Sequence, residues 1–114
     1  MTTVLARDPR KAFKSKYRAQ PVHTDEGYFA SKREYRHWLA LKQRQLDGQI
    51  RGLERQVRFR LEIGGQKICD YVADAVYFEG NKRIVADAKG VETDVFKLKR
   101  KLMKALLNID VVTA

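Results

Sequence analysis

The hydrophobic positions in the first half of the chain switch from a helical period to strict alternation. Ser31-Lys-Arg-Glu34 is a capping-box pattern, and the apolar spacing after it predicts a helix over about residues 31–47 that ends at Asp47-Gly48. Residues 50–53 show no clear period, and we expect a short helix-like or irregular stretch there. Residues 57–63 alternate apolar with polar side chains, which predicts a half-buried strand. The apolar side of that strand would consist of Val57, Phe59, Leu61 and Ile63.

Glycine-containing turns connect this strand to two more. Gly64-Gly65 predicts a hairpin into a strand over about residues 67–78. A turn at residues 79–81 leads to a third strand over about residues 83–89, which Gly90 ends. Three consecutive strands joined by tight turns would form an antiparallel meander.

A helical period returns in the last part of the chain. It predicts a helix over about residues 94–107 and a final short strand over residues 108–113. The order α-β-β-β-α-β therefore predicts an α/β fold with a mixed sheet flanked by helices, in which the last strand can lie parallel to a neighbour. The apolar stripe of the second helix would consist of Val95, Leu98, Leu102, Ala105 and Leu106.

Composition narrows the class of protein. The chain has 114 residues, which suits one domain, and a formal net charge of +10. This excess favours a polyanionic partner, most commonly nucleic acid. The single cysteine, Cys69, excludes a disulfide scaffold and a Cys-rich zinc site and fits a reducing compartment. We expect neither a membrane span nor a secretory signal, because no apolar run suits either.

Basic residues are concentrated near the N-terminus. We expect residues 1–27 to form a basic flexible arm and residues 28–114 to form the compact domain. A compact part of this size has a small core, which favours a dimer. The basic side chains of the arm that we expect to contact phosphate are Arg10, Lys11, Lys14 and Lys16.

Two aspartates stand at corresponding places in the second predicted hairpin. Asp74 interrupts an apolar strand and Asp87 precedes Lys89 by two positions, so the hairpin should bring the two carboxylates close together and place Lys89 on the face of Asp87. Carboxylates held together raise each other's pKa unless a cation holds them, and an all-oxygen site suits Mg²⁺. The alternatives are a solvated strand face at Asp74 and a salt bridge between Asp87 and Lys89.

These residues and their order resemble the PD-(D/E)XK nuclease superfamily, and more closely a small phage-encoded branch of it. The resemblance covers about residues 28–113 and departs from the pattern where Ala73, rather than proline, precedes Asp74. The segments that carry it are Phe29-Ala-Ser-Lys-Arg-Glu34, Leu53-Glu-Arg-Gln56, Tyr71-Val-Ala-Asp74, Asp87-Ala-Lys89-Gly90 and Leu98-Lys-Arg-Lys-Leu102.

The resemblance implies a restriction-endonuclease-like core and a set of roles. Asp74, Asp87 and the carbonyl of Ala88 would ligate Mg²⁺, for which Mn²⁺ could substitute, and Lys89 would orient the attacking water or steady the oxyanion. Glu34 would complete the metal shell directly or through water. Its alternative is the capping box, in which it bonds back to the Ser31 amide. Gln56 would either support the site or close the turn before the first strand.

Basic side chains on both helices could hold nucleic acid. On the second helix these residues either track phosphates beside the site or form its solvated face, and the first helix adds further basic residues. His37 is expected to be a surface residue. The predicted DNA-binding side chains outside the arm are Lys97, Arg100, Lys101 and Lys104, together with Lys32 and Arg33.

The resulting functional hypothesis is a hydrolase: a Mg²⁺-dependent endonuclease of DNA. The chain has no separate sequence-reading domain, so branched DNA is the expected substrate, and the resemblance includes Holliday junction resolvases of DNA recombination. We expect a homodimer acting in the cytoplasm, that of the host if the protein is phage-encoded. The alternatives are a non-catalytic nucleic-acid binder on a nuclease-like core and a basic structural protein without metal.

Overall fold

The computed structural model describes residues 20–114 and has an α/β fold with a mixed sheet and two helices. The predicted order α-β-β-β-α-β is confirmed, and a short hairpin precedes it. The elements in chain order are β1 (Val22–Thr24), β2 (Gly27–Phe29), α1 (Lys32–Leu46), β3 (Arg51–Ile63), β4 (Gln66–Glu79), β5 (Lys82–Asp87), α2 (Asp94–Leu107) and β6 (Val111–Thr113). Neither helix in this described part of the chain has the length and apolar character needed to traverse a bilayer.

The four-stranded sheet has the order β3-β4-β5-β6. The three strands β3, β4 and β5 form the predicted antiparallel meander, and β6 pairs with β5 in parallel. Gly64 and Gly65 form the first turn with φ values of 58° and 78°, which glycine adopts without steric cost. The parallel pairing of β6 follows from the crossover through α2.

Side-chain caps set the helix starts close to where the sequence predicts them. The Ser31 hydroxyl accepts a hydrogen bond from the Glu34 amide, and the Thr93 hydroxyl accepts one from the Phe96 amide. Asn108 ends α2 in the left-handed conformation. This cap is the reason that the last strand begins at Val111 and not at residue 108 as predicted.

The helices cover opposite faces of the sheet. Adjacent strand residues belong to different clusters: Val85 packs with the α2 cluster and Ala86 with the α1 cluster. The α2 cluster contains Phe59, Leu61, Tyr71, Ala73, Val76, Val85, Phe96, Met103 and Val111. The α1 cluster contains Leu41, Ile50, Ala75, Tyr77 and Ala86.

Two sequence predictions about these elements are wrong. Residues 51–53 do not form a stretch separate from the first strand but begin β3, and the irregularity there is a bulge that shifts the register between Arg51 and Glu54. On α2, Val95 and Leu98 do not face the core but are 61% and 58% exposed. The buried positions of α2 are Phe96 and Met103 instead.

The predicted arm lies largely outside the described residues. Its basic residues Arg10, Lys11, Lys14 and Lys16 all fall in residues 1–19. The predicted domain boundary at residue 28 falls inside β2, because the β1–β2 hairpin starts at Val22.

Candidate active site

In β3 and β4, the alternation of side chains between the two faces of the sheet is interrupted at Gln56 and Asp74. In β4, Ala73 packs with the α2 cluster and Ala75 with the α1 cluster, although alternate residues of a strand normally share a face. Gln56, which lies across from Asp74 in β3, has a φ of 55°, and this left-handed conformation turns the strand. Asp74 therefore occupies the switch between two apolar faces, where its carboxylate does not have to enter either core.

Where β4 and β5 separate, the carboxylates of Asp74 and Asp87 accept the backbone hydrogen bonds that the paired strands would otherwise make with each other. The last paired residues are Ala75 and Ala86. Beyond them, the Asp74 amide donates to Asp87 Oδ1 at 3.0 Å, and the Ala88 amide donates to Asp74 Oδ2 at 2.9 Å. The prediction that the hairpin brings the two aspartates together is confirmed, and the reciprocal bonds satisfy two amides that the parting strands leave unpaired.

Asp87 is the one polar or charged residue that is fully buried in the described part of the chain, with 0% exposure. Its Oδ2 atom has no hydrogen-bond partner among the described residues. Burial raises the pKa of its carboxyl group, and the hydrogen bond from the Asp74 amide and the charge of Lys89 oppose that rise. A buried carboxylate oxygen without a partner is costly, so its retention calls for an explanation.

Glu34 turns its carboxylate toward the aspartates rather than back to its own helix start. Its backbone amide takes part in the Ser31 cap, but the described hydrogen bonds include none from the Ser31 amide to the Glu34 carboxylate. Burial is the main cause that raises the pKa of Glu34, the negative charges of Asp74 and Asp87 add to it, and Lys89 opposes it. Half of the predicted capping box is therefore present, and the acidic side chain lies in the field of the site.

Lys89 reaches the site by a different route from the one predicted. Because β5 ends at Asp87, Lys89 does not share a strand face with it, and that prediction is wrong. The Lys89 ammonium lies over the ring of Phe96, 4.9 Å from its centre, and its side chain lines the same cleft as Glu34. An aromatic ring on the core side thus holds the amine beside the carboxylates.

The residues present fit a divalent cation bound by oxygen. In residues 20–114 no three His, Cys, Asp or Glu side chains are grouped as a ready metal site. Asp74 and Asp87 nevertheless each use one carboxylate oxygen for a backbone amide, which leaves Asp87 Oδ2 buried without a partner. Two carboxylates with an adjacent carbonyl oxygen are the donor types that Mg²⁺ takes, with water completing its shell.

A basic cleft adjoins the carboxylates. A cavity of about 530 Å³ lies between the start of α1 and the segment after β5, and Lys32, Arg33, Arg36 and Lys89 line it. A second cavity of about 310 Å³ shares Arg33 and Arg36 with the first. None of these four side chains is in an ion pair among the described residues, so their charge is available to an anion.

Two residues at this place were misassigned or missed by sequence reasoning, namely His37 and Arg55. Arg36, one of the further basic residues of the first helix, lines the second cavity together with His37, and the prediction that His37 is a surface residue is wrong, because it is half-buried beside Asp74. Burial lowers the pKa of His37, and the charge of Asp74 opposes that shift. Arg55 lies over the Phe29 ring and close to Glu34. The i, i+3 spacing of Arg33 and Arg36 was the available signal.

The basic residues of α2 are less available than those of α1. Arg100 is held by Glu92 at 3.2 Å and lies over Phe96, and Lys104 pairs with Asp110 at 3.1 Å. Lys97 and Lys101 are exposed. Of the four predicted phosphate contacts on α2, the structure therefore gives two an acidic partner.

Comparison with known proteins defines the family of the chain. Residues 14–111 match the family described as "Protein of unknown function (DUF1064)", which covers most of the sequence, and the chain belongs to that family. No curated protein and no solved structure matches it.

Proposed function

We propose that this protein is a Mg²⁺-dependent endonuclease of the PD-(D/E)XK type that hydrolyses phosphodiester bonds in DNA. The single observation that carries the proposal is the pair of hydrogen bonds from the Asp74 amide to Asp87 Oδ1 and from the Ala88 amide to Asp74 Oδ2, which leaves Asp87 Oδ2 buried and unpartnered. A structural role alone would favour a neutral residue at that position, because an isolated buried carboxylate destabilises a fold. A divalent cation would convert the same oxygen into a ligand.

The fold supports a restriction-endonuclease-like core as part of this proposal. The acids lie where an antiparallel hairpin opens, one helix precedes the meander, and a second helix crosses over to a parallel strand. Glu34 on the preceding helix faces the opening. The order and the placement agree with the common core of that superfamily, to which the motifs are similar.

The chain's own residues divide the work in the proposed reaction. Asp74, Asp87 and the Ala88 carbonyl would hold Mg²⁺, or Mn²⁺ in its place, with Glu34 acting directly or through water. The bound ion would lower the pKa of a coordinated water and neutralise charge on the scissile phosphate. Lys89 would orient that water or donate to the oxyanion. Arg33 and Arg36 would hold phosphates of the strand in the adjoining cleft.

The proposed substrate is branched DNA, as for a Holliday junction resolvase of DNA recombination. The described residues are occupied by the core and one small hairpin, and none forms a separate reading helix for the major groove. Contacts from arginine and lysine to phosphate position DNA without reading its sequence. We place the reaction in the cytoplasm, that of the host if the protein is phage-encoded.

A non-catalytic DNA-binding protein on the same core is the second candidate. The observation in its favour is that no three acidic or histidine side chains are grouped in the described residues. In that case the basic cleft would bind DNA and the aspartates would serve only to close the parted strands. The two candidates differ in what Mg²⁺ does after binding.

A cleavage assay separates them. The full chain is incubated with linear, nicked, flapped and four-way DNA in Mg²⁺ or EDTA, and we expect cleavage only with Mg²⁺ and preferentially of the four-way substrate. Asp87→Asn should reduce the cleavage rate by at least about a hundredfold and keep the affinity for DNA within about threefold of wild type. The matched control, Asp47→Asn at the far end of α1, should cleave normally.

Either of two results would contradict the proposal. One is equal cleavage by Asp87→Asn and wild type. The other is the absence of cleavage with every substrate although DNA binds, which would favour the non-catalytic candidate.

A further inference from the structure

The outward face of α2 carries an apolar row that nothing in the described part of the chain covers. Val95 and Leu98 are 61% and 58% exposed, respectively. Leu102 and Ala105 continue the row, and Leu102 is partly packed against the core. We call these four residues the α2 seam. Its spacing of 3, 4 and 3 residues is the heptad period by which one helix packs against another.

The seam is distinct from the face that α2 uses for folding. The core contacts of the helix come from Phe96 and Met103, which are 6% and 0% exposed. Scattered apolar residues on a surface are ordinary, but a row in register along one helix forms a continuous patch. A helix with two apolar faces leaves the second face in contact with water unless a partner covers it.

Charges beside the seam are arranged to fit a second copy of the same helix. Asp94 precedes Val95 at the start of α2, and Lys101 precedes Leu102 one heptad later. Neither residue is in an ion pair among those found in residues 20–114. In an antiparallel pair of α2 helices with the two-fold axis between residues 97 and 98, Asp94 of each copy faces Lys101 of the other. The same arrangement sets the helix dipoles against each other favourably.

We propose that the α2 seam is the contact surface of a symmetric homodimer in which two α2 helices pack antiparallel. A two-fold axis makes such a patch self-complementary, so each attractive contact occurs twice. Each copy contributes two well-exposed apolar side chains, Val95 and Leu98, so the interface is small, and interfaces below about 1,200 Å² are weak or transient. Dimerisation should therefore depend on concentration in the micromolar range.

This surface leaves the basic cleft open. The α2 seam and the cleft beside α1 belong to helices on opposite faces of the sheet, and no residue of α2 lines the cleft. The proposal is independent of the nuclease activity. Its test uses the protein without DNA or divalent cation.

Analytical ultracentrifugation of the full chain over micromolar to several hundred micromolar concentrations should show a monomer–dimer equilibrium. Leu98→Lys should make the protein monomeric throughout this range. Leu46→Lys is the matched control, because Leu46 is an apolar residue on α1 that is 80% exposed. It should leave the equilibrium unchanged.

A charge exchange tests the antiparallel register with surface residues whose substitution should leave the fold intact. Asp94→Lys and Lys101→Asp should each weaken the dimer by about tenfold, since each places like charges opposite one another twice. The double variant should restore the affinity of wild type to within about threefold. Circular dichroism of every variant verifies folding, and the charge variants decide the matter if Leu98→Lys does not fold.

Three results would overturn the proposal. The first is a wild-type protein that is monomeric at every concentration. This holds also if deletion of residues 1–19 then allows a dimer to form, because the seam would be covered by residues 1–19 of its own chain. The second is equal dimerisation by Leu98→Lys and Leu46→Lys. The third is a double charge variant that dimerises no better than either single variant.

Discussion

Asp87 places a carboxylate where the fold by itself would gain from a neutral group. Its Oδ1 accepts the Asp74 amide, whereas Oδ2 is buried without a partner in the described residues. Burial raises the pKa of this carboxyl group above its ordinary value of 3.8, so the folded chain holds the proton more tightly than the unfolded chain does. The contribution of Asp87 to the free energy of unfolding is therefore fully present below the ordinary pKa of the group and is lost as the pH rises through its folded pKa.

Asp87→Asn should therefore stabilise the protein at neutral pH in EDTA. Asparagine keeps the acceptor for the Asp74 amide and removes the buried charge, and we expect a gain of about 1 kcal/mol, or about 4–8 °C in melting temperature. The gain should shrink as the pH falls through the folded pKa of Asp87, because the wild-type carboxyl group then becomes protonated. Thermal melts across pH measure it, with the exposed turn residue Asp25 as an Asp→Asn control. A gain that is the same at both ends of the pH range would contradict this account.

Part of the site could be predicted from the residues alone. The pairing of Asp74 with Asp87 follows from counting outward from one turn, because hairpin register is local. The position of Lys89 could not be found in that way, since it depends on the end of β5 and on the Phe96 ring. His37 was misassigned because the half-burial of a helix residue depends on what packs against it.

At the scale of elements, α1 rather than α2 presents its basic residues to the site. Arg33 and Arg36 line both cavities beside Ala88, and the Arg33 side chain lies against the backbone of Gly90. On α2, Arg100 and Lys104 are held by acids. Both helices were predicted with nearly correct ends, because caps are local signals. The core-facing side of α2 was not, because the helix has apolar residues on two sides and the sequence does not say which one meets the sheet.

Removing the two arginines should weaken DNA binding more than removing two lysines of α2. Arg33→Gln with Arg36→Gln should lower the affinity by about tenfold at moderate salt and reduce the salt slope by up to about two units. Lys97→Gln with Lys104→Gln removes the same charge and should cost less than about threefold. Fluorescence anisotropy in EDTA over a range of salt measures both. A larger loss of DNA affinity for the lysine pair would mean that α2, and not α1, makes the main phosphate contacts.

At the scale of the whole molecule, the net charge of +10 is unevenly distributed along the chain. Residues 1–19 contain six basic residues and one acidic residue. They precede β1, which begins at Val22, so their removal leaves every strand of residues 20–114 whole. The resemblance to a nuclease core concerns the part of the chain that follows.

Deletion of residues 1–19 should weaken DNA binding and make its salt dependence shallower. Each phosphate contact that is lost should reduce the slope of log affinity against log salt by about 0.9. Circular dichroism should show that residues 20–114 keep their helices and strands. An unchanged salt slope would mean that this segment does not contact phosphate, and the interpretation of the first residues as a DNA-binding arm would be wrong.

Phe96 has a consequence for how the sequence can change. Its ring is part of the α2 cluster, and the same ring carries the Lys89 ammonium at 4.9 Å from its centre and the Arg100 guanidinium at 5.2 Å. An aliphatic residue of similar volume would fill the core but offer no π-electron face to either cation. Evolutionary drift at this position is therefore constrained twice, once by shape and once by electronic character.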